Sequence, residues 1–123
     1  MSCSGGNFCA GYDLEELSEL EDDISNKIAE ILMDQGPMGP TKMELSKPVI
    51  AAVNGYCVAG GLELAVMCDM RVVEENCKMG FLNRRFGVPL IDGATVRYVI
   101  YSIPCSTKLH LLSDWSTQLI LVF

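Results

Sequence analysis

A chain of 123 residues holds one small domain and leaves no room for a second of ordinary size, so as it stands it is not expected to be a multidomain enzyme. Half of the residues are hydrophobic and a fifth are charged, the balance of a packed core rather than of a disordered or low-complexity segment. Nine Lys and Arg against sixteen Asp and Glu leave a net charge of −7, the wrong sign for counterion-release binding to nucleic acid or to an anionic membrane.

The acid is concentrated between Asp13 and Asp23, and the rest of the chain is close to neutral. No apolar stretch reaches the ~20 residues of a membrane span. Met1 to Gly6 has neither the basic region nor the apolar run of a targeting peptide. The expectation is a soluble protein with its compartment unassigned. Six cysteines (Cys3, Cys9, Cys57, Cys68, Cys77, Cys105) form no Cys-x-x-Cys pair and have no nearby His, so they read as free thiols in a reducing compartment, Cys57 and Cys68 as small buried hydrophobes.

In chain order, Gly5, Gly6 and Gly11 around Phe8 predict a flexible loop, and Asp13 stands where a helix N-cap or first-turn acid is favoured. Leu14, Leu17, Leu20, Ile24, Ile28, Ile31 and Leu32 recur at three- and four-residue spacing. They predict an amphipathic helix from about 13 to 33, with a break near Asp22. The run from Gln35 to Pro40 stops it, and a loop continues to about Lys47. Pro48 to Asn54 is apolar on both faces and bounded by breakers, which predicts a parallel strand covered on both sides, ended by Gly55. Gly60 and Gly61 open a helix through Leu62 to Cys68, Met70 to Glu74 is a second strand, and a further helix starts near Ala94 after a loop holding Gly87, Pro89 and Gly93. Strand, glycine turn, helix, strand is α/β packing.

The chemistry lies in the glycine bends. N–H groups in the first turn of a helix lack intrahelical partners and sit at the positive end of its dipole, so the Gly60–Gly61 turn is suited to stabilising an oxyanion. Other schemes lack their parts: there is no Gly-x-Ser-x-Gly, no Walker loop and no Gly-x-Gly-x-x-Gly after a strand, and the only histidine is His110 in an unpatterned tail. No metal site is expected.

Asn7-Phe8-Cys9-Ala10-Gly11-Tyr12-Asp13-Leu14 resembles the first oxyanion loop of the crotonase superfamily, the enoyl-CoA hydratases and isomerases. Lys47 to Ala65, with Asn54-Gly55-Tyr56-Cys57-Val58-Ala59-Gly60-Gly61-Leu62-Glu63 at its centre, resembles the second. Arg84 to Gly93 is similar to the family's downstream loop. The resemblance implies a partial crotonase-like α/β fold with a mostly parallel sheet over residues 1–97, followed by a tail at 98–123 unlike the family, as in a truncated member. It implies an acyl-CoA thioester substrate, with CoA entering as part of the substrate and no separate cofactor. Its enolate would be stabilised by the backbone N–H groups of Ala10 and Gly60. Glu63 falls on a catalytic glutamate position, and Asp92 lies near where some relatives place a catalytic aspartate. The second hydratase glutamate position holds Asn83, which favours double-bond shift or other one-carboxylate chemistry over water addition. A full-length parent is expected to be a trimer-based homo-oligomer. The alternative is a catalytically inactive form that binds intact crotonase-like subunits.

Overall fold

The computed structural model of the chain describes residues 1–18, 26 and 38–97. The rest of the acidic stripe, its break at Asp22, the Gln35 to Pro37 stop and the 98–123 tail with Cys105 and His110 lie outside the described residues.

The first helix, α1 (Leu14–Ser18), opens as the sequence predicts: the Asp13 Oδ1 accepts the Glu15 N–H at 2.9 Å and the Asp13 carbonyl accepts the Leu17 N–H at 3.1 Å. Gly39, at φ 72°, turns the chain into a short 3-10 segment at Pro40–Lys42, whose Thr41 is buried. Strand β1 (Ile50–Val53) follows, then Gly55 at φ 56°, then β2 (Tyr56–Val58). A side chain at Gly55 would collide with the Gly6 carbonyl, so this bend requires glycine both for its backbone angle and for space.

Helix α2 (Gly60–Met67) leads into β3 (Met70–Val73) and β4 (Lys78–Gly80). The chain thus makes two parallel strand pairs: β1 runs beside β3 in the register Ile50↔Met70 to Val53↔Val73, and β2 beside β4 with Cys57↔Met79. On the other edge of β2 the Asn7 to Cys9 segment adds a parallel contact, the Cys9 N–H bonding to the Tyr56 carbonyl at 3.1 Å and the Val58 N–H to the Cys9 carbonyl at 3.0 Å. The α/β class with parallel strands is therefore as expected. Strands β2 and β4 are additions to the predicted set, three residues each and too short to leave a period in the sequence.

Phe8, Ala51, Val53, Cys57, Leu62, Ala65, Val66, Cys68 and Cys77 form the core between α2 and the inner faces of the strands. Strand β1 departs from the expectation of cover on both sides. It alternates exposed and buried, so that Ile50, Met70 and Val72 are 50, 55 and 65 % exposed on one face of the β1–β3 pair. Among the described residues all five cysteines are free thiols, and Cys57 and Cys68 are fully buried, as predicted. Burial pushes both thiols up, which keeps them protonated and inert.

Candidate active site

Two backbone bends converge at the N-terminus of α2. The first is the Cys9 to Gly11 turn, held against β2 by the ladder just described and by a Gly11 N–H to Cys9 Sγ contact of 3.4 Å. The second is Ala59, whose φ of 50° and ψ of −128° place a residue with a Cβ in the left-handed half of backbone space. Such strain persists only where the surroundings over-determine it. Here the Ala59 N–H is held by the Gly80 carbonyl at 3.0 Å, and the Ala59 carbonyl accepts the Leu62 and Glu63 N–H groups at 3.0 and 3.3 Å. The N–H and C=O of one peptide point in opposite directions. A carbonyl of Ala59 aimed down the helix therefore turns the N–H of Gly60 outward.

The bends touch. A Cβ on Gly11 would come 3.0 Å from the Gly60 nitrogen, and one on Gly61 would strike the Cys9 carbonyl, so glycine at both places is what allows the approach. Among the described residues neither the Ala10 nor the Gly60 N–H makes a hydrogen bond. Both residues line a pocket of about 200 Å³ whose wall is otherwise Tyr12, Leu14, Val58, Ala59, Leu82, Asn83, Phe86 and Val88.

The two predicted carboxyls sit together, but neither lines this pocket. Glu63, one turn along α2 from Gly60, is 1 % exposed. Its Oε1 accepts the Asp92 and Ala94 N–H groups, each at 3.1 Å, while its Oε2 has no partner among the described residues. Desolvation by burial pushes the Glu63 carboxyl up, opposed by the Ala94 N–H bond and reinforced by the Asp92 charge. Asp92 is wholly buried, with Oδ1 accepting the Thr41 hydroxyl at 2.5 Å and the Met38 N–H at 3.0 Å, and Oδ2 accepting the Tyr12 hydroxyl at 3.4 Å. Asp92 does not cap the helix that opens at 94; Glu63 does, from 31 residues away. Burial, then the Asp92 charge, pushes the Tyr12 phenol upward, so Tyr12 is a donor at neutral pH. Among the described residues no three His, Cys, Asp or Glu side chains converge as metal ligands.

Sequence reasoning named Ala10, Gly60, Glu63 and Asp92 and passed over Tyr12 and Thr41, which hold Asp92. The available signal for Tyr12 was a phenol one residue past the first glycine bend.

A family model described as enoyl-CoA hydratase/isomerase matches residues 1–105. The chain belongs to this family. Among curated enoyl-CoA hydratase/isomerase relatives, it is 38 % identical over 96 residues to mevalonyl-coenzyme A hydratase sidH of Aspergillus fumigatus, a match covering 78 % of this chain and 34 % of that protein. It is 37 % identical to 2,3-dehydroadipyl-CoA hydratase of Escherichia coli, over 75 % of this chain and 34 % of the relative. In structure it resembles enoyl-CoA hydratase EchA1 of Mycobacterium marinum, with a TM-score of 0.66 at 31 % identity over 80 % of this chain and 36 % of that one. The enoyl-CoA hydratase of Thermoplasma volcanium gives a TM-score of 0.67 at 27 % identity, over 79 and 38 % of the two chains. The chain thus spans about a third of the length of these enoyl-CoA hydratase/isomerase relatives, and the structural match is to part of the crotonase fold.

Proposed function

We propose that this chain binds an acyl-CoA thioester and polarises its carbonyl between the N–H groups of Ala10 and Gly60. The observation that carries the reading is a pair of backbone donors, without partners among the described residues, that come from two chain segments onto one pocket, one of them turned outward by a strained Ala59. Donors fixed before the substrate arrives need no reorganisation as charge develops on the oxygen, and the N-terminal dipole of α2 adds to them. The small residues at both positions leave the approach to the carbonyl open.

Proton handling is assigned to Glu63, the one of the two carboxyls with an oxygen that has no partner among the described residues; burial raises its affinity for a proton, which makes its ionised form a stronger base. Asp92 is a positioning group, since its oxygens are taken by Thr41, Met38 and Tyr12. With Asn83 on the pocket wall where a second carboxyl would assist water, the reaction class favoured is removal of an α-proton and its redelivery elsewhere, a double-bond shift.

The test is infrared difference spectroscopy with a thioester ¹³C-labelled at its carbonyl. Binding to the wild type should move the C=O stretch to lower wavenumber, and Gly60→Pro, which deletes one donor at a helix position that tolerates proline, should reverse most of the shift. An unshifted carbonyl in a bound wild-type complex contradicts the reading.

A second reading, a catalytically inactive form that binds intact subunits of the family, is favoured by the open apolar face at Ile50, Met70 and Val72. Co-elution with a full-length relative, in the absence of any thioester binding, would favour it over the first.

A further inference from the structure

The outward face of the β1–β3 pair is apolar from end to end. Strand register sets Ile50 beside Met70 and Ala52 beside Val72, and the alternation of burial along both strands turns all four away from the core. Ile50, Met70 and Val72 are each at least half exposed, and no charged or hydrogen-bonding side chain interrupts the four. Parallel strands occur with both faces covered. The free energy of hydrophobic burial is still to be gained on this face, and an apolar cover would gain it.

Three observations choose the occupant. Arg97, the last described residue, lines one groove with Val49 and Asp69, the residues immediately before Ile50 and Met70. The chain therefore leaves the described residues beside the end of the strand pair at which the apolar face begins. Next, Leu119-Ile120-Leu121-Val122-Phe123 is a run of five apolar residues rich in strand-forming types and as free of charge as the face itself. Five extended residues span about 17 Å, enough to cover four-residue strands with a residue to spare, and the stretch from 98 to 118 supplies far more reach than the connection needs. Last, a segment tethered to the same chain meets the face at an effective concentration on the order of millimolar. A second copy would instead bring another net charge of −7 to the contact.

We infer that the face formed by Ile50, Ala52, Met70 and Val72 is an intramolecular docking surface, and that its occupant is the chain's own 119–123 segment. The inference is independent of the thioester pocket, which lies at the other end of α2.

Photocrosslinking tests it. Val72, 65 % exposed, is replaced in the full chain by p-benzoylphenylalanine, the dilute protein is irradiated, and the products are mapped by mass spectrometry. The expected product is a monomer joined from position 72 to the 119–123 segment. That crosslink should be lost when Ile120→Asp and Val122→Asp are introduced together, because each sets a charge against an apolar face. A crosslinked dimer overturns the inference and gives the face to a second copy. Crosslinking to an added full-length enoyl-CoA hydratase in preference to the 119–123 segment also overturns it, and supports the second reading of the function. Crosslinks to another part of the chain, none beyond the β1–β3 pair, or a crosslink to 119–123 that survives both Asp substitutions overturn it as well. If the doubly substituted chain does not fold, the crosslink map of the chain labelled at position 72 decides the matter alone. None of these results bears on polarisation of the thioester, which the infrared experiment tests separately.

Discussion

Gly61→Ala is expected to loosen the whole site from a single methyl group. A Cβ at Gly61 would lie 2.6 Å from the Cys9 carbonyl carbon and 2.7 Å from its Cβ, where ordinary contact begins at 3.4 Å. The obstacle is backbone, with the Cys9 carbonyl oxygen nearer still, so no rotamer change relieves it, and the Cys9 strand segment has to withdraw by more than roughly 0.8 Å. That displacement stretches the Val58 N–H to Cys9 carbonyl bond and the Cys9 N–H to Tyr56 carbonyl bond, now 3.0 and 3.1 Å, past bonding distance. Overpacking of about 1–3 kcal/mol and two weakened bonds of about 0.5–1.5 kcal/mol each give an expected loss of about 2–6 kcal/mol. Gly60→Ala is the control, since the group its Cβ meets is the sulfur of the Met38 side chain, a flexible thioether that can move aside. Urea denaturation followed by circular dichroism measures both. A Gly61→Ala variant within about 0.5 kcal/mol of wild type, the range of an inconsequential surface change, or a Gly60→Ala variant as unstable as Gly61→Ala, would refute the reasoning.

Two further outcomes follow from the same site. Ala59→Gly removes the Cβ strain at φ 50°, worth about 1–3 kcal/mol, against about 0.5–1 kcal/mol of added chain entropy; a net gain should appear as a higher urea midpoint, and a loss would contradict the strain. Glu63 is held above its ordinary 4.5 in the folded state, so the native protein keeps a proton that the unfolded chain releases. Its effect on stability is therefore nil below 4.5 and becomes increasingly unfavourable as pH rises from there toward the raised folded value. Glu63→Gln, which keeps the Oε1 acceptor for Asp92 and Ala94, should flatten that decline above pH 4.5. Urea midpoints across the range test it, and an unchanged slope would show that Glu63 titrates without consequence.

The legible parts of the fold are the local ones. Asp13 caps α1 through a bond two residues away, and Gly55, Gly60 and Gly61 stand at bends that the chain needs in any context. What the sequence leaves hidden is set by distance along the chain. Glu63 receives its N–H partners from positions 29 and 31 residues later, and Tyr12 meets Asp92 across 80 residues. Their types were visible; their pairing was not. The open face of β1 was hidden for another reason, since Ile50 and Ala52 are as apolar as the buried Ala51 and Val53, and burial leaves no mark when both faces carry the same chemistry.

The two proposed carbonyl donors are main-chain atoms, and their spacing is set by strand register rather than by any side chain. Conventional alanine scanning is blind to such a device: position 10 is already alanine, and alanine at 60 keeps its N–H. Only proline, or an amide-to-ester replacement made by chemical synthesis, deletes the working group. The corollary concerns how such a chain diverges. Substitutions at Tyr12, Leu82, Asn83, Phe86 and Val88 re-line the pocket while the donors stay where the β2 ladder holds them. On the proposed function, ligand preference can drift through those five positions at little risk to the proposed polarisation of the carbonyl, and variant libraries aimed at new ligands belong there.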